Sequence, residues 1–167
     1  MLFRSVKGQS ERLSKNMLQN EYAKEIVPGF GAKGMTWMRV IEGGLESNIV
    51  QFFSEEERGA ILSRFGAEPG DVILMIADPS WSLVCTALGQ LRLHLALRLG
   101  EIPPDVYRPL WVTDFPLFEA AEGGVTACHH PFTMPDRTDF DPENIDALLA
   151  LRSRAYEIGR ASCRERV

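Results

Sequence analysis

The chain has 167 residues, of which 45% are hydrophobic and 25% are charged, and its formal net charge is −5 at pH 7. This size and composition are typical of one globular domain, or of one domain with part of another, which buries a core without needing disulfides or metals. The negative net charge argues against a protein that wraps nucleic acid over its whole surface, because binding phosphates requires clustered Lys and Arg, but it does not exclude a local contact.

Cysteine usage and the N-terminal residues indicate an intracellular protein. Cys85, Cys128 and Cys163 are odd in number and form no C-x-x-C pair, which is typical of a reducing compartment. The first residues contain no apolar run of a signal peptide, and no apolar stretch approaches the roughly 18 residues of a membrane span. We therefore expect a cytoplasmic protein with no membrane association.

The first hundred residues predict helices that alternate with short strands. Ser54 followed by Glu57 forms a capping box that starts a helix, and the apolar run VILMIA after Asp71 has the length of a buried strand. In the long helix that follows, His94 lies on a polar stripe and is predicted to be solvated. The predicted order is a helix over 13–28, a strand over 35–41, a helix up to Gly66, the strand after Asp71 and a helix over 81–99. This pattern favours an α+β fold in which helices pack on one face of a small sheet.

A second part of the chain begins after a short proline-containing connection, and we place a boundary near residues 101–108. The segment PLWVTDFPLF is predicted to begin with a strand that Pro116 ends or pushes to an edge. After a turn at 121–124, VTACHH is predicted to return as a second strand. Asp141, followed by proline, is predicted to open a last helix that runs through Leu151.

The adjacent residues His129 and His130 are the candidate functional site. Neighbouring residues on an extended chain point to opposite faces, so one histidine can meet a substrate while the other meets the surrounding protein. The plainer interpretation is two polar residues at the end of a strand. A metal site is not indicated, because Cys128 and the two histidines lack the spacing that lets side chains converge on zinc. Asp114 and Glu119 are no better evidence of an acid–base pair than any other two of the 23 acidic residues. The residues alone do not name a substrate.

Four segments of the chain carry a resemblance. They are FGAKGM (30–35), LGQLRL (88–93), PLWVTDFPLFE (109–119) and CHHPFTMP (128–135). In order and spacing they resemble the bacterial aspartyl-tRNA synthetases, and the resemblance extends from about Leu13 to about Tyr156.

The resemblance implies four regions. Residues 1–29 are a helical segment that leads into the next region or belongs to the catalytic domain, and residues 30–100 are similar to the GAD insertion domain. Residues 101–157 are similar to part of the antiparallel catalytic sheet of a class II synthetase. Residues 158–167 match nothing in the family, and we expect them to be a non-native tail.

The resemblance also implies a reaction. In this family L-aspartate reacts with ATP to give aspartyl-AMP, and the aspartyl group then passes to the 3′ end of tRNA(Asp), with Mg2+ assisting. The resemblance implies that His129 contacts the bound aspartate, that His130 lies near the ATP-derived phosphates, and that the parent protein is a cytoplasmic homodimer. Because the other ATP-binding residues of the family lie outside this sequence, we expect the chain by itself to be inactive and to hold no catalytic residue.

Two other interpretations stay open. A GAD-like domain also occurs as a non-catalytic tRNA-binding module in a subunit of a tRNA-dependent amidotransferase. The segment from Pro109 to Pro135 favours the synthetase, because it resembles the catalytic domain of that family and should not follow the GAD domain in the amidotransferase. The third interpretation is a standalone fragment with only a structural role.

Overall fold

The computed structural model describes residues 2–155. The chain divides into two compact units, Met1–Asp105 and Val106–Val167, and the division falls within the range 101–108 in which the sequence predicts a boundary. The predicted non-native tail, 158–167, lies outside the described residues. Within residues 2–155, no helix is long and apolar enough to cross a membrane.

The first unit is built on a four-stranded antiparallel sheet in the order β1-β4-β2-β3. The strands are β1 (Leu2–Val6), β2 (Thr36–Ile41), β3 (Gly44–Glu46) and β4 (Val72–Ile76). β2 and β4 confirm the strands predicted over 35–41 and after Asp71. β4 pairs with β1 on one side and with β2 on the other, and this central position explains why all five of its residues are buried.

Several helices pack around this sheet. They are a π-helix (Met17–Ile26) that continues into α1 (Val27–Gly29), a 3-10 helix (Val50–Phe52), α2 (Glu55–Phe65) and α3 (Trp81–Leu99). The predicted capping box is confirmed, since Ser54 Oγ accepts from the Glu57 N–H and the Glu57 carboxylate accepts from the Ser54 N–H. α2 ends at Gly66, whose φ of 49° lies in the left-handed region that favours glycine.

The α+β prediction is confirmed, but the predicted packing of helices on one face of the sheet is wrong, because helices cover both faces and form two hydrophobic clusters. Successive residues of a strand point to opposite faces. Leu74 therefore packs in a cluster with the π-helix and α3, whereas its neighbour Ile73 packs in a cluster that α2 covers. The first cluster includes Leu13, Leu18, Tyr22, Trp37, Leu88, Leu91 and Leu95, and the second joins Met38, Val40, Ile73 and Met75 to Ile61, Leu62 and Phe65 of α2. The apolar character of β4 on both faces is what requires helices on both sides.

The N-terminal residues contribute to the same unit. Residues 1–29, which are predicted as a helical lead-in, supply a strand as well as a helix, because β1 pairs with β4 along its whole length. Leu18 and Tyr22 of the π-helix are fully buried in the first cluster. The predicted helix starts at Met17, and its hydrogen bonding is of the π type, since the Val27 N–H donates to the Tyr22 carbonyl five residues back.

His94 of α3 is not solvated as predicted. Its side chain is half-buried, and its ring lies edge-on to Tyr22 (centroids 5.7 Å apart, interplanar angle 84°) and to Phe30 (6.3 Å, 62°). One turn later the Arg98 guanidinium lies 5.4 Å from the centre of the Tyr22 ring and pairs with Glu21. The hydrogen bond from Arg98 lowers the pKa of Glu21. This part of the polar stripe therefore packs against the π-helix.

The second unit contains a hairpin. β5 (Phe118–Ala121) and β6 (Gly124–Ala127) pair antiparallel across the predicted turn. The strand predicted at the start of PLWVTDFPLF is wrong: residues 109–113 lie outside any strand or helix and are exposed, and regular pairing begins only after Pro116. A strand requires a neighbouring strand to pair with, and within residues 2–155 none lies beside 109–113.

A short helix, α4 (Ile145–Leu149), follows the hairpin. Its predicted start at Asp141 is wrong by one turn. Asn144 caps the helix instead, because its side-chain oxygen accepts from the Ala147 N–H at 3.1 Å.

Candidate functional site

The two candidate histidines follow β6 at the end of the hairpin. Cys128 continues the pairing by one residue, since its N–H donates to the Leu117 carbonyl at 2.9 Å. His129 and His130 come next, and the chain then turns tightly, with the His130 carbonyl accepting a backbone hydrogen bond of 2.9 Å from three residues ahead. We refer to residues 128–135 as the histidine loop.

The far end of the histidine loop is held by residues 151–154. Pro135 forms an antiparallel bridge with Ser153, and the Arg154 N–H donates to the Met134 carbonyl at 2.8 Å. These contacts join two segments that are separated by α4 in the sequence. The exit of the loop therefore has a defined path.

The same residues hold the chain just before β5. Pro116 forms an antiparallel bridge with Arg152, and the Ser153 N–H donates to the Phe115 carbonyl at 2.7 Å. The Leu117 N–H donates to the carbonyl of residue 151 at 3.1 Å. Residues 151–153 thus connect the exit of the histidine loop to the entry of the hairpin.

His129 is half-buried and packs against an aromatic ring. The centroids of the His129 and Phe115 rings lie 4.2 Å apart, with an angle of 41° between the ring planes. Phe115 follows Asp114, which has a φ of 56°. Among the described residues, Asp114 is the one non-glycine residue with a left-handed backbone. The chain therefore bends sharply just before the ring that contacts His129.

His130 has different surroundings. Its side chain is exposed, its ring lies 5.0 Å from the Phe132 ring, and its Nδ1 accepts from the Phe132 N–H at 3.3 Å. A neutral imidazole that accepts at Nδ1 carries its proton on Nε2. His130 can therefore donate from Nε2 to an anion, while His129 presents an imidazole that is backed by a ring.

The described residues do not form a site for Mg2+. This ion takes oxygen ligands in octahedral geometry, and the histidine loop offers imidazole nitrogens. Within residues 2–155, no group of three or more His, Cys, Asp and Glu side chains is arranged to hold a metal.

The first unit has two open clefts and one buried carboxylate. A cleft of about 350 Å³ has Lys33 beside apolar side chains, and a cleft of about 240 Å³ lies between β1 and α3.

The buried carboxylate is that of Asp71, which accepts from Lys7 Nζ at 2.8 Å, from the Gly8 N–H at 2.8 Å and from the Glu68 N–H at 2.9 Å. Burial alone would raise the pKa of Asp71, but these hydrogen bonds outweigh it and hold the pKa below its usual value. Asp71 thus acts as a structural acceptor.

Comparison with known proteins gives a family match and close relatives. The GAD domain family matches residues 5–88. The chain is 68% identical, over 155 residues, to aspartate–tRNA(Asp/Asn) ligase 1 of Syntrophus aciditrophicus, a match that covers 92% of this chain and 21% of that protein. It is 45% identical over 136 residues to the aspartate–tRNA(Asp/Asn) ligase of Nitratidesulfovibrio vulgaris, covering 80% of this chain and 22% of the relative. It is 39% identical over 168 residues to the aspartate–tRNA(Asp/Asn) ligase of Anoxybacillus flavithermus, and this match covers 96% of this chain and 28% of the relative. The chain thus spans between a fifth and just over a quarter of the length of these relatives.

Proposed function

We propose, from the premise that this chain belongs to the GAD domain family, that it is a segment of an aspartate–tRNA ligase. The observation that carries the proposal is the extent of the match with the Syntrophus ligase. In a chain of 167 residues, 155 aligned residues run past residue 88, where the GAD match ends, and through the histidine loop. Both units therefore point to the same family, whereas a tRNA-binding GAD module of an amidotransferase would account only for the first.

The proposed reaction has two steps. The parent protein activates L-aspartate with ATP to form aspartyl-AMP and pyrophosphate, and it then transfers the aspartyl group to the 3′ end of tRNA(Asp). The names of the relatives include both tRNA(Asp) and tRNA(Asn), and we extend the proposal to both tRNAs. We further propose that the parent works as a cytoplasmic homodimer and that the β5–β6 hairpin is part of its class II catalytic sheet.

The two histidines have separate proposed roles. His129 contacts the bound aspartate through its imidazole, which Phe115 backs on one side. His130 donates from Nε2 toward the phosphates, because its Nδ1 already accepts a backbone hydrogen bond. Attack of the substrate carboxylate on the α-phosphate builds negative charge, and an oriented donor near that charge lowers the barrier by roughly 3 kcal/mol.

Mg2+ has a supporting role in this proposal. When bound, it would neutralise charge on the ATP phosphates and assist the displacement of pyrophosphate. The histidine loop contains no Asp or Glu that could supply a carboxylate to it, so we assign none of the described residues to the ion. The chain by itself is proposed to be inactive, because two histidines alone do not position ATP against aspartate.

A graft tests the proposal. Residues 2–155 of this chain would replace the aligned residues of the Syntrophus ligase, and aspartate-dependent ATP–pyrophosphate exchange would be measured. We expect exchange comparable to that of the unmodified ligase. His129→Asn in the graft should raise KM for aspartate by about 10- to 100-fold, since a hydrogen bond to a charged group is worth roughly 1.5–3 kcal/mol. His130→Asn should instead lower kcat and raise KM for ATP, because the lost donor faces the charge that develops at the α-phosphate.

The two histidine variants serve as controls for each other, because a general loss of folding removes active enzyme, which lowers the apparent kcat and leaves both Michaelis constants unchanged. A graft that elutes and unfolds like the unmodified ligase yet catalyses no exchange would contradict the proposed function. Exchange by the chain alone would contradict its proposed inactivity.

A further inference from the structure

Phe115 lies against the histidine that we assign to aspartate. Its ring centroid is 4.2 Å from that of His129, and the planes are tilted by 41°. Ring pairs at this distance attract each other in a limited set of orientations. The contact therefore restricts rotation of the His129 imidazole on the side that faces Phe115.

The hairpin register by itself does not produce this contact. Phe118 lies opposite Ala127, so a regular continuation of the two strands would bring Pro116 opposite His129. Instead, Pro116 forms a bridge with Arg152, and the ring of the residue before it reaches the imidazole. The placement of Phe115 therefore depends on how the chain enters the hairpin.

Two features fix that entry. Asp114 has a φ of 56°, a left-handed conformation that Asp adopts more readily than most residues with a side chain and that β-branched residues disfavour. The Phe115 carbonyl then accepts from the Ser153 N–H at 2.7 Å. The bend on one side and the hydrogen bond on the other leave the Phe115 ring pointing toward His129.

We propose that Phe115 is a positioning residue: it holds the His129 imidazole in the orientation that meets aspartate, and the left-handed backbone of Asp114 directs it there. The inference rests on the proposed function of His129. An imidazole that is already oriented loses less freedom when substrate binds, and this lowers KM for the substrate it contacts. The effect should be confined to aspartate, because Phe115 contacts His129 and the ring neighbour of His130 is Phe132.

Variants of the graft test this role. Phe115→Leu keeps an apolar side chain but removes the ring, and we expect KM for aspartate to rise about 3- to 10-fold while KM for ATP stays unchanged. Phe115→Tyr keeps the ring and should restore the wild-type KM. Asp114→Val disfavours the left-handed backbone and should reproduce the effect of Phe115→Leu, whereas Asp114→Gly accepts that backbone and should not. Phe132→Leu is the matched control, since it removes an exposed ring of the same loop that lies against His130.

Kinetics distinguish this inference from the function on which it rests. A wild-type graft without exchange contradicts the proposed function. An active graft in which Phe115→Leu leaves KM for aspartate unchanged, or raises the Michaelis constants of aspartate and ATP equally, overturns only the role of Phe115.

If the graft does not fold, a second measurement on the chain itself still tests the inference. In its proton NMR spectrum the ring current of Phe115 should displace the His129 imidazole resonances from their positions in Phe115→Leu, and Phe132→Leu should not move them. His129 resonances that are identical in the wild type and in Phe115→Leu would overturn the inference.

Discussion

Replacing Asp71 with alanine should destabilise the first unit, because the buried carboxylate accepts three hydrogen bonds. The side chain of Asp71 is 5% exposed, and it accepts from two backbone N–H groups and from Lys7 at distances of 2.8–2.9 Å. These donors, on Gly8 and Glu68, belong to the turns that follow β1 and precede β4. The carboxylate thus joins the ends of two paired strands.

The magnitude follows from the groups that lose their acceptor. Leaving one of these N–H groups without an acceptor lowers the free energy of unfolding by roughly 1–3 kcal/mol, and the loss is smaller where water replaces the carboxylate. The Lys7 side chain is 58% exposed, so its ammonium returns to water and adds little. We expect Asp71→Ala to lower the free energy of unfolding by about 3 kcal/mol in total, which corresponds to roughly 12–24 °C in Tm for a unit of this size.

Urea and thermal unfolding of the chain, followed by circular dichroism, would measure this loss. Asp71→Asn is the matched control, because the amide oxygen still accepts a hydrogen bond while the amide nitrogen cannot, and it should lose only about half as much. A decrease below about 1 kcal/mol for Asp71→Ala would refute the reasoning, since it would mean that water satisfies both N–H groups at no cost.

Three further predictions concern the same unit. Hydrogen bonds hold the pKa of Asp71 in the folded chain below its ordinary value of 3.8, so the carboxylate stabilises the fold above that value and the contribution is lost as the pH falls through the folded pKa. The advantage of wild type over Asp71→Asn in urea titrations should therefore shrink as the pH is lowered below 3.8. Ser54→Ala removes the capping box and should cost about 1 kcal/mol in the same titration at neutral pH, whereas Ser63→Ala on the exposed side of α2 should cost almost nothing. Leu91→Ala should cost about 2–5 kcal/mol by the same assay because Leu91 is fully buried, and Leu97→Ala, at 71% exposure, should stay within about 0.5 kcal/mol of wild type.

Local signals in the sequence predict the elements of the first unit well. The capping box of Ser54 and Glu57, the helix end at Gly66 and the apolar run of β4 each act within a few residues, and each is found as predicted. β1 was not predicted, because the five residues LFRSV are too short a segment, with too little alternation of polar and apolar residues, to indicate a strand. They form a strand because they pair with β4. Non-local pairing also explains the opposite error at 109–113, where a β-prone segment has no partner among residues 2–155.

The candidate site was predicted only in part. The adjacent residues His129 and His130 stand out in the sequence, and the turn at 121–124 predicts the hairpin that leads to them. The predicted second strand included both histidines, whereas β6 ends at Ala127. The contact with Phe115 depends on the backbone of Asp114, and proline after Phe115 indicates only that this residue is extended. Residues 151–154 support the histidine loop through bridges to residues that lie before α4 in the sequence. A local sequence pattern cannot predict such pairing. His94 was misjudged because its polar stripe faces the π-helix, a neighbour that helical periodicity cannot identify.

The central place of β4 sets the time at which the sheet can assemble on the ribosome. Leu2 pairs with Ile76, so the first strand leaves the exit tunnel long before its partner exists. At roughly 5–20 residues per second, the synthesis of the intervening chain takes several seconds, which exceeds by orders of magnitude the microseconds in which a hairpin closes. During this interval β1 and β2 both expose the edge that β4 will occupy, and their charged residues, Arg4 and Arg39, disfavour pairing with other chains.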